Sequence, residues 1–224
     1  MDIVILTGGK GSRLRSVIKD RPKTMVKINS NIFLDILLNF LHSHGFSRFI
    51  LCTGFYGNYI KDYYENNNKS YLVEISQENF QLGTGGAVKN SESLIKSENF
   101  ILVNGDTLCK IDYAKLINFH KNKSSLVTMV SGIPYVKGNY GGIEIDKNNR
   151  VKSINNKLNQ KYFNSGIYVF NKDVFKLLST DYPYSIDDDF INSILFQKNV
   201  YLYDSKKYFY DIGTPDRLRK FRDI

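Results

Sequence analysis

The sequence has few of the features that mark a secreted, membrane-spanning or multi-domain protein. Cys52 and Cys109 are its only cysteines, and each lies in an apolar run typical of a β-strand, which favours buried thiols over a disulfide or a metal site. No apolar run is long enough to span a membrane, and the stretch MDIVILTGG lacks the basic segment that begins a signal peptide. No internal repeat, low-complexity tract or proline-rich linker divides the 224 residues. We therefore expect a single cytoplasmic domain over residues 1–224, with no membrane partner.

Histidine and clustered positive charge are also scarce. The three histidines lie near the ends of helical stretches, with no other ligand at metal spacing, so we interpret them as structural. The net charge is +9, but lysine and arginine are spread along the whole chain without a dense cluster or a nucleic-acid motif. This pattern argues against a nucleic-acid partner and suits a protein that attracts small phosphorylated substrates.

What the chain does contain is a regular alternation of apolar and amphipathic segments. Strands are predicted over DIVIL, RFILCT, YLVEIS, NFILVNGD and SLVTMVSG, and helices over IFLDILLNFLHSHG, NYIKDYYENN, GGAVKNSESLIK and YAKLINFHKN. From about Ile133 the pattern predicts hairpin-like strands over GGIEID, RVKSI and SGIYVF, a helix over IDDDFINSILF, a strand over NVYLYD, and a last strand and helix within YFYDIGTPDRLRKF. Near-continuous apolar strands separated by helices predict an α/β protein, a Rossmann-like three-layer α/β/α sandwich with a mostly parallel mixed sheet.

The first strand ends in a glycine-rich loop, LTGGKGSRL, that carries a lysine and an arginine. Residues without a Cβ allow backbone N–H groups to approach an anion closely, so phosphate is the first candidate ligand. The loop is not a Walker A motif, because Gly11 follows Lys10, and it is not a dinucleotide fingerprint, because Leu14 stands where the third glycine is required. On the loop alone, a phosphate site and a simple tight turn both remain open.

The informative polar residues come directly after predicted strands. Arg13 follows the first strand, the stretch GTGG of residues 83–86 comes after the third, Asp106 ends the fourth and Asp211 ends the last. Ligands of open α/β sheets bind at the carboxyl ends of the strands. Two carboxylates at this edge, facing Arg13 and Lys23, therefore indicate a metal and phosphate site.

Each of these residues also has a plain structural interpretation. Asp106 could begin a turn, and Arg13 and Lys23 could be solvated surface charges. Asp211 could cap the last helix, but Thr214 before Pro215 fits that cap better, which leaves Asp211 without a structural role.

Five motifs, in this order, resemble the sugar-phosphate nucleotidyltransferases over nearly the whole chain. They are LTGGKGSRLRSVIKDRPKTMVKI, QENFQLGTGGAVKNS, VNGD, YFNSGIYVF and YDIGTPDRL. The resemblance implies the nucleotide-diphospho-sugar transferase fold and a reaction in which an NTP and a sugar 1-phosphate give an NDP-sugar and pyrophosphate, with Mg2+ as cofactor. Within the family the chain looks most like the D-glycero-α-D-manno-heptose 1-phosphate guanylyltransferases. That likeness implies GTP and this heptose phosphate as substrates, and GDP-heptose for a bacterial capsule or lipopolysaccharide as product.

The resemblance also implies roles for individual residues. The catalytic residues are Arg13, Lys23, Asp106 and Asp211, of which the two aspartates hold the metal. The nucleotide-binding residues are Leu6, Gly8, Gly9, Gly11, Ser12, Arg13, Lys23, Gln77, Glu78, Gly83, Thr84, Gly86 and Asp106. The sugar-phosphate-binding residues are Gly105, Gly142, Lys157, Asn164 and Asp211. The nucleotide is expected on the half of the domain from about residue 1 to 110, and the sugar phosphate on the half from about 111 to 224.

Other functions are compatible with parts of the sequence. A mannose 1-phosphate guanylyltransferase, or another hexose 1-phosphate nucleotidyltransferase, is the alternative enzyme, because mannose and the heptose share the manno ring. A catalytically silent regulatory subunit of the same fold would be expected to lose Arg13 or the metal carboxylates, and this chain has all of them. The sequence leaves the oligomeric state open, a homo-oligomer included.

Overall fold

The computed structural model describes residues 1–9, 11–155 and 160–223. Its strands are β1 (Ile3–Leu6), β2 (Lys27–Ile28), β3 (Asn31–Ile32), β4 (Arg48–Thr53), β5 (Leu72–Gln77), β6 (Asn99–Asn104), β7 (Thr107–Cys109), β8 (Val127–Pro134), β9 (Gly142–Ile145), β10 (Val151–Asn155), β11 (Tyr162–Asn171) and β12 (Val200–Asp211). Its α-helices are α1 (Phe33–Ser43), α2 (Gly57–Glu65), α3 (Gly83–Asn90), α4 (Tyr113–Asn122), α5 (Asn192–Ile194) and α6 (Pro215–Arg222). Short 3-10 turns cover Ser12–Leu14, Lys23–Met25, Glu92–Leu94 and Lys172–Lys176, and a π-helix covers Ile186–Ile191.

The main sheet is mixed, and its first half is parallel. Strands β5, β4, β1 and β6 are neighbours in that order and all run in one direction. Strand β11 lies antiparallel between β6 and β8, and β12 runs parallel to β8. Strand β7 pairs antiparallel with β12 and is the outermost strand on that side. Strands β9 and β10 extend β11 as an antiparallel hairpin. This arrangement puts the carboxyl ends of β1, β6 and β12 at one edge of the sheet.

Helices cover both faces of this sheet. Along β1, Ile3 and Ile5 belong to one buried cluster and Val4 to another, because successive side chains of a strand point to opposite faces. The first cluster contains core residues of α1, α2, α4 and α6, and the second contains those of α3, the π-helix and α5. The predicted three-layer α/β/α arrangement is therefore confirmed.

Two of the differences from the predicted boundaries have clear local reasons. Helix α3 was expected to continue to Lys96 but ends at Asn90, where the Ser91 hydroxyl donates to the Val88 carbonyl over 2.7 Å and competes with the helix. The two strands predicted within residues 199–211 are one strand, β12, whose pairing with β8 shifts between Asp204 and Tyr208. Lys206 has a φ of 52° in this bulge, which interrupts the alternation visible in the sequence.

The structure agrees with a structural role for the cysteines. Cys52 and Cys109 are free and buried, and burial raises the pKa of both thiols to about 12. Across the described residues, no helix combines the length and the apolar character needed to cross a membrane.

Candidate active site

The candidate site lies where β1, β6 and β12 end. Leu6 pairs with Asn104, and the N–H of Gly105 donates to the Leu6 carbonyl over 3.0 Å. A Cβ on Gly105 would lie 2.7 Å from that carbonyl oxygen, so glycine is required for this close approach. The N–H of Ile212 donates to the Asp106 carbonyl over 3.0 Å, which joins the end of β12 to the end of β6. Residues from distant parts of the chain therefore meet at one edge of the sheet.

Asp106 is a buried acid at this edge. Its Oδ2 accepts a hydrogen bond from Lys23 in an ion pair, and only 14% of the Asp106 side chain is exposed. Burial by itself raises the pKa of Asp106, but the Lys23 ammonium, with a smaller contribution from Arg13, outweighs burial and holds that pKa below its usual value. Asp106 is therefore a carboxylate at neutral pH.

Asp211, the last residue of β12, has partners of its own. Arg217 donates to Asp211 Oδ1 over 2.9 Å, and the N–H of Gly213 donates to the same oxygen over 3.0 Å. The Tyr140 hydroxyl donates to Oδ2 over 2.5 Å, and the Arg217 guanidinium lies 4.3 Å from the centre of the Tyr140 ring. The inference that Asp211 has no structural role was therefore wrong, because this carboxylate fixes the loop that leads into α6.

The predicted cap of α6 is confirmed. Thr214 precedes the helix, and its side-chain oxygen accepts from the N–H of Arg217 over 3.4 Å. Pro215 occupies the first helical position, where its missing N–H costs nothing.

The two carboxylates approach each other across Gly213. A Cβ on Gly213 would lie 3.1 Å from Asp211 Oδ1, 3.5 Å from Asp106 Oδ2 and 3.9 Å from an Arg13 nitrogen. Among residues 1–9, 11–155 and 160–223, no group of three or more His, Cys, Asp or Glu side chains could hold a metal. Two carboxylates nevertheless fit Mg2+, because proteins hold this ion through one or two carboxylates while substrate phosphates and water complete its octahedron.

A cavity of about 320 Å³, which we call the charged cavity, opens over these carboxylates. Of the residues predicted from the sequence, Arg13, Asp106, Asn164 and Asp211 line it. Residues that the sequence analysis missed line it as well, among them Asn104, Tyr140, Asp187, Asp188 and Arg217.

Asn164 and Asp187 form a hydrogen-bonded pair in the charged cavity. The Asn164 amide donates to Asp187 Oδ1 over 3.1 Å, and the Tyr168 hydroxyl donates to the same oxygen over 2.8 Å. Burial raises the pKa of Asp187, and these two hydrogen bonds only partly offset burial. Oδ2 of Asp187 accepts no hydrogen bond from any residue that the structure describes, so it is available to a ligand.

A second cavity, of about 430 Å³, lies beside the first glycines, and we call it the apolar cavity. The predicted residues that line it are Leu6, Gly8, Gly9, Glu78, Gly83 and Thr84. A Cβ on Gly8 would lie 2.9 Å from the backbone nitrogen of Gly54 and 3.0 Å from Glu78 Oε1, so the cavity wall is backbone packed on backbone. The walls of this cavity therefore depend on residues without side chains.

One carboxylate, Glu78, and two aromatic rings, Phe55 and Phe80, line the apolar cavity. Burial raises the pKa of Glu78, and the N–H of Leu82, which donates to Glu78 Oε2 over 3.2 Å, opposes this rise only in part. Phe55, in the loop after β4, and Phe80, in the loop after β5, are 42% and 63% exposed although they line the cavity. Exposed aromatic rings at the rim of a cavity indicate a ligand with a flat apolar face.

Some predicted residues line neither of the two cavities, namely Gly11, Ser12, Lys23, Gln77, Gly86, Gly105 and Gly142. Gln77 donates to Asn58 over 3.1 Å, and Gly86 is a packing position, because its Cβ would lie 2.6 Å from the Tyr182 ring. Lys157 lies outside the described residues.

Little in the sequence distinguishes the residues that were missed. Tyr140 reaches Asp211 across 71 residues of chain, so no local pattern connects them. Arg217 lies within the quoted motif YDIGTPDRL, but its bond to Asp211 depends on the fold of the intervening loop. Phe80 did carry a signal, since a lone aromatic residue in the polar loop QENFQL has no core to enter.

Comparisons with known proteins give matches that cover nearly the whole chain. Residues 3–223 match the model of the family described as nucleotidyl transferase. A D-glycero-α-D-manno-heptose 1-phosphate guanylyltransferase of Aneurinibacillus thermoaerophilus is 34% identical over 222 residues, which are 98% of this chain and 96% of the relative. A protein of the same name from Campylobacter jejuni is 33% identical, over 99% of this chain and 98% of the relative. The crystal structure of HddC from Yersinia pseudotuberculosis complexed with GMP-PN has a TM-score of 0.85 and 35% identity, over 99% of this chain and 98% of that one.

Proposed function

The chain belongs to the nucleotidyl transferase family, and from this premise we propose that it is a sugar 1-phosphate guanylyltransferase. GTP and D-glycero-α-D-manno-heptose 1-phosphate are the proposed substrates, because relatives that match nearly the whole chain carry that name. A phosphate oxygen of the sugar 1-phosphate forms a bond to the α-phosphorus of GTP. The bond from that phosphorus to the bridging oxygen breaks, and pyrophosphate leaves with the electron pair. The products are GDP-heptose and pyrophosphate.

One observation carries this proposal, namely that an apolar cavity and a charged cavity adjoin at the ends of two paired strands. Leu6 at the end of β1 lines the first cavity, and Asn104, its partner on β6, lines the second. A nucleoside triphosphate with its base in the first cavity therefore brings its phosphates towards the second. Such a transfer needs positioning and charge neutralisation and no covalent intermediate.

The side chains of the apolar cavity favour a guanine base. Guanine presents an N1–H and a 2-amino group side by side, and a carboxylate accepts such a pair of donors. Glu78 is the carboxylate of this cavity, and Phe55 and Phe80 offer faces on which a base stacks. The base is thus held by one charged side chain and by aromatic contact.

The cations next to the charged cavity match the phosphates of the reaction. Arg13 lines this cavity, and Lys23 lies beside it on Asp106. We assign Arg13 to the triphosphate and Lys23 to the α-phosphate, where they neutralise the charge that moves to the leaving pyrophosphate.

Nucleotidyltransferases of this family generally use a divalent metal, and we propose Mg2+ here. Asp106 and Asp211 would hold it, since Gly213 leaves the space between their oxygens open. When bound, Mg2+ polarises the α-phosphate and stabilises its transition-state charge. Lys23 and Arg217 neutralise the same carboxylates in the structure described here, so both cations must shift towards substrate phosphates or solvent when the ion binds.

The sugar ring belongs in the part of the charged cavity around Asn164 and Asp187. The open Oδ2 of Asp187 suits a sugar hydroxyl, and Asn164, whose amide donates to Asp187 and Tyr168, holds that carboxylate in place. This assignment supports a division into a nucleotide-binding half, about residues 1–110, and a sugar-phosphate-binding half, about 111–224. The cytoplasmic location and the oligomeric state stay predictions.

Pyrophosphate release from a matrix of five NTPs and several sugar 1-phosphates tests the proposal. We expect the highest kcat/KM for GTP with the heptose phosphate. Higher efficiency with mannose 1-phosphate would overturn the proposed sugar substrate but not the proposed guanylyltransferase activity. Absence of turnover with every pair would indicate a catalytically silent member of the family. Because the sugars differ by one carbon and its hydroxyl, an apolar pocket would separate them by only about 1–3 kcal/mol.

The role of Glu78 has a sharper test with ITP, which lacks the 2-amino group of GTP. We expect the wild type to prefer GTP over ITP and Glu78→Gln to lose most of that preference, because the variant lacks the charged acceptor. An unchanged ratio of kcat/KM values would remove Glu78 from base recognition.

A further inference from the structure

A cavity of about 700 Å³ lies at the opposite end of the sheet from the candidate active site, and we call it the lower cavity. Asn99 lines it at the start of β6, Leu126 just before β8, and Asn171 at the end of the antiparallel β11. The N–H of Asn171 donates to the Leu126 carbonyl, and the N–H of Leu126 donates to the Asn199 carbonyl, both over 2.9 Å. The rim is therefore fixed by backbone hydrogen bonds, and the volume is in the range that holds small molecules.

At the base of the lower cavity, the acceptor atoms of His120 and Asn99 are already hydrogen-bonded within the chain. His120 is 2% exposed, with Nδ1 at 2.9 Å from Thr128 Oγ1 and Nε2 at 3.1 Å from Asn99 Oδ1. Because an amide oxygen only accepts, Nε2 donates and Nδ1 accepts from the Thr128 hydroxyl. Asn171 also donates to Asn99 Oδ1, over 3.2 Å. Burial lowers the pKa of His120 to about 4, so the ring is neutral at physiological pH and its two nitrogens are satisfied.

Two donor groups of residues that line this cavity, by contrast, have no partner among the described residues, and one of them, the Ser125 hydroxyl, is itself buried. Ser125 is 5% exposed, and its hydroxyl has no hydrogen-bond partner in the part of the chain that the structure describes. The amide nitrogen of Asn99 donates to no described residue either. Buried polar groups of folded proteins are almost always hydrogen-bonded, so the Ser125 hydroxyl indicates a partner that the chain itself does not supply.

The charges around the lower cavity favour an anion. Lys176 is paired with Asp173 over 2.6 Å, so these two charges cancel. Lys121 and Lys198 form no ion pair with any residue in the described ranges, and Glu98 is the remaining acid of the lining. Two unpaired lysines and one unpaired carboxylate leave an excess of positive charge, which attracts a phosphate group.

We propose that the lower cavity binds a phosphorylated polyol, such as a sugar phosphate, at a site separate from the active site. The phosphate lies between Lys121 and Lys198, and it accepts a hydrogen bond from Ser125 once the buried Ser125 side chain turns towards the cavity. The hydroxyl groups meet the amides of Gln197 and Asn199, which also line the cavity. No Phe or Tyr among the described residues lines it, so it lacks the stacking surface that a nucleobase would need. This inference does not depend on the reaction proposed above.

Calorimetric titration with glucose 6-phosphate tests the site, because this probe carries its phosphate away from the anomeric carbon and is not a 1-phosphate substrate. We expect a Kd in the low millimolar range or tighter, and a Kd at least about tenfold higher for inorganic phosphate and for glucose, which each lack half of the contacts. In amide NMR spectra, glucose 6-phosphate should shift the signals of residues 124–126. Absence of binding, or shifts confined to the active site, would overturn the proposal.

Matched variants separate this site from general attraction to a basic protein. Lys121→Gln with Lys198→Gln should raise the Kd for glucose 6-phosphate at least about tenfold, whereas Lys110→Gln with Lys152→Gln, which removes the same charge elsewhere, should leave it unchanged. Ser125→Ala should weaken binding about fivefold without lowering Tm, because it removes a hydroxyl that has no partner in the free protein. Equal effects of the two lysine pairs would reduce the finding to non-specific electrostatics and contradict the proposal.

Discussion

The two cavities at the carboxyl edge of the sheet are built in opposite ways. The apolar cavity is shaped by backbone, since Gly8 and Gly9 form part of its wall. The charged cavity is shaped by side chains held in pairs, with Lys23 on Asp106 and Arg217 on Asp211. A flat base needs space and shape, whereas phosphoryl transfer needs fixed charge. The two cavities should therefore fail differently, the first by added volume and the second by lost charge.

The largest expected effect comes from removing a carboxylate of the charged cavity. Asp106→Asn or Asp211→Asn should lower kcat by on the order of 10³-fold, because each removes a metal ligand and its charge from the reacting phosphate. Pyrophosphate release at saturating Mg2+ measures this. Asp62→Asn, on the exposed surface of α2, is the control. An unchanged rate in a folded variant would show that the replaced aspartate is not a metal ligand.

Removing a cation should have a smaller effect. Arg13→Ala and Lys23→Ala are each expected to lower kcat about 10²-fold, since both groups stabilise transition-state charge. If only KM increased, the two side chains would bind ground state and transition state equally, and the assignment to the transition state would be wrong.

The same pair gives a pH test of the link between Lys23 and Asp106. Burial raises the pKa of Asp106, and Lys23, ahead of Arg13, holds that pKa down. Without Lys23 the pKa must increase, so Asp106 takes up a proton at a higher pH than in the wild type. The acid limb of the pH profile of kcat/KM, which reports the free enzyme, should move to higher pH in Lys23→Ala and less in Arg13→Ala. Equal or absent shifts would contradict the pairing.

Added volume should harm the apolar cavity. Gly8→Ala brings a Cβ to 2.9 Å from a backbone nitrogen, whereas Gly9→Ala meets nothing closer than 3.7 Å, a Lys23 methylene. We expect Gly8→Ala to raise KM for GTP at least about tenfold, an overpacking effect of about 1–3 kcal/mol, with kcat largely kept. Gly9→Ala is the matched control and should change KM less than Gly8→Ala. A larger effect at Gly9 would mean that ligand contact, not wall geometry, governs this loop.

The smallest effect is expected from loss of an aromatic face. Phe80→Ala should raise KM for GTP about fivefold, which corresponds to about 1 kcal/mol of stacking. Phe196→Ala removes a ring that is 87% exposed and lines neither cavity, so it controls for loss of surface area. Equal KM values for the two variants would exclude Phe80 from base stacking.

Most of the sheet could be predicted because its signals are local. Runs of apolar residues predicted β1, β4, β5, β6 and β8, and the amphipathic stretches between them predicted α1, α2 and α4. The errors arose where one side chain or one backbone angle changed a regular element. Ser91 ends α3 early, and Lys206 bends β12 without ending it.

The candidate site was predictable in its position more than in its contacts. In an open α/β sheet, a carboxylate directly after an apolar strand lies at the ligand-binding end of the sheet. Asp106 and Asp211 could therefore be identified as site candidates from the sequence alone. Their partners could not be selected. Lys23 meets Asp106 across 83 residues, and Tyr140 meets Asp211 across 71. Asp187 enters the site from a helix whose π-helical turn has no recognised sequence signal.

The sequence by itself determined the α/β class, the glycines that keep the first loop open and the acids that follow the strands, because these depend on properties of single residues and their neighbours in the chain. Only the tertiary structure decided which charges pair, which aromatic rings face a cavity and where a buried hydroxyl lacks a partner. These features depend on the distance between side chains that are far apart in the chain. Such distances are set by how the strands and helices pack, and no local pattern encodes them.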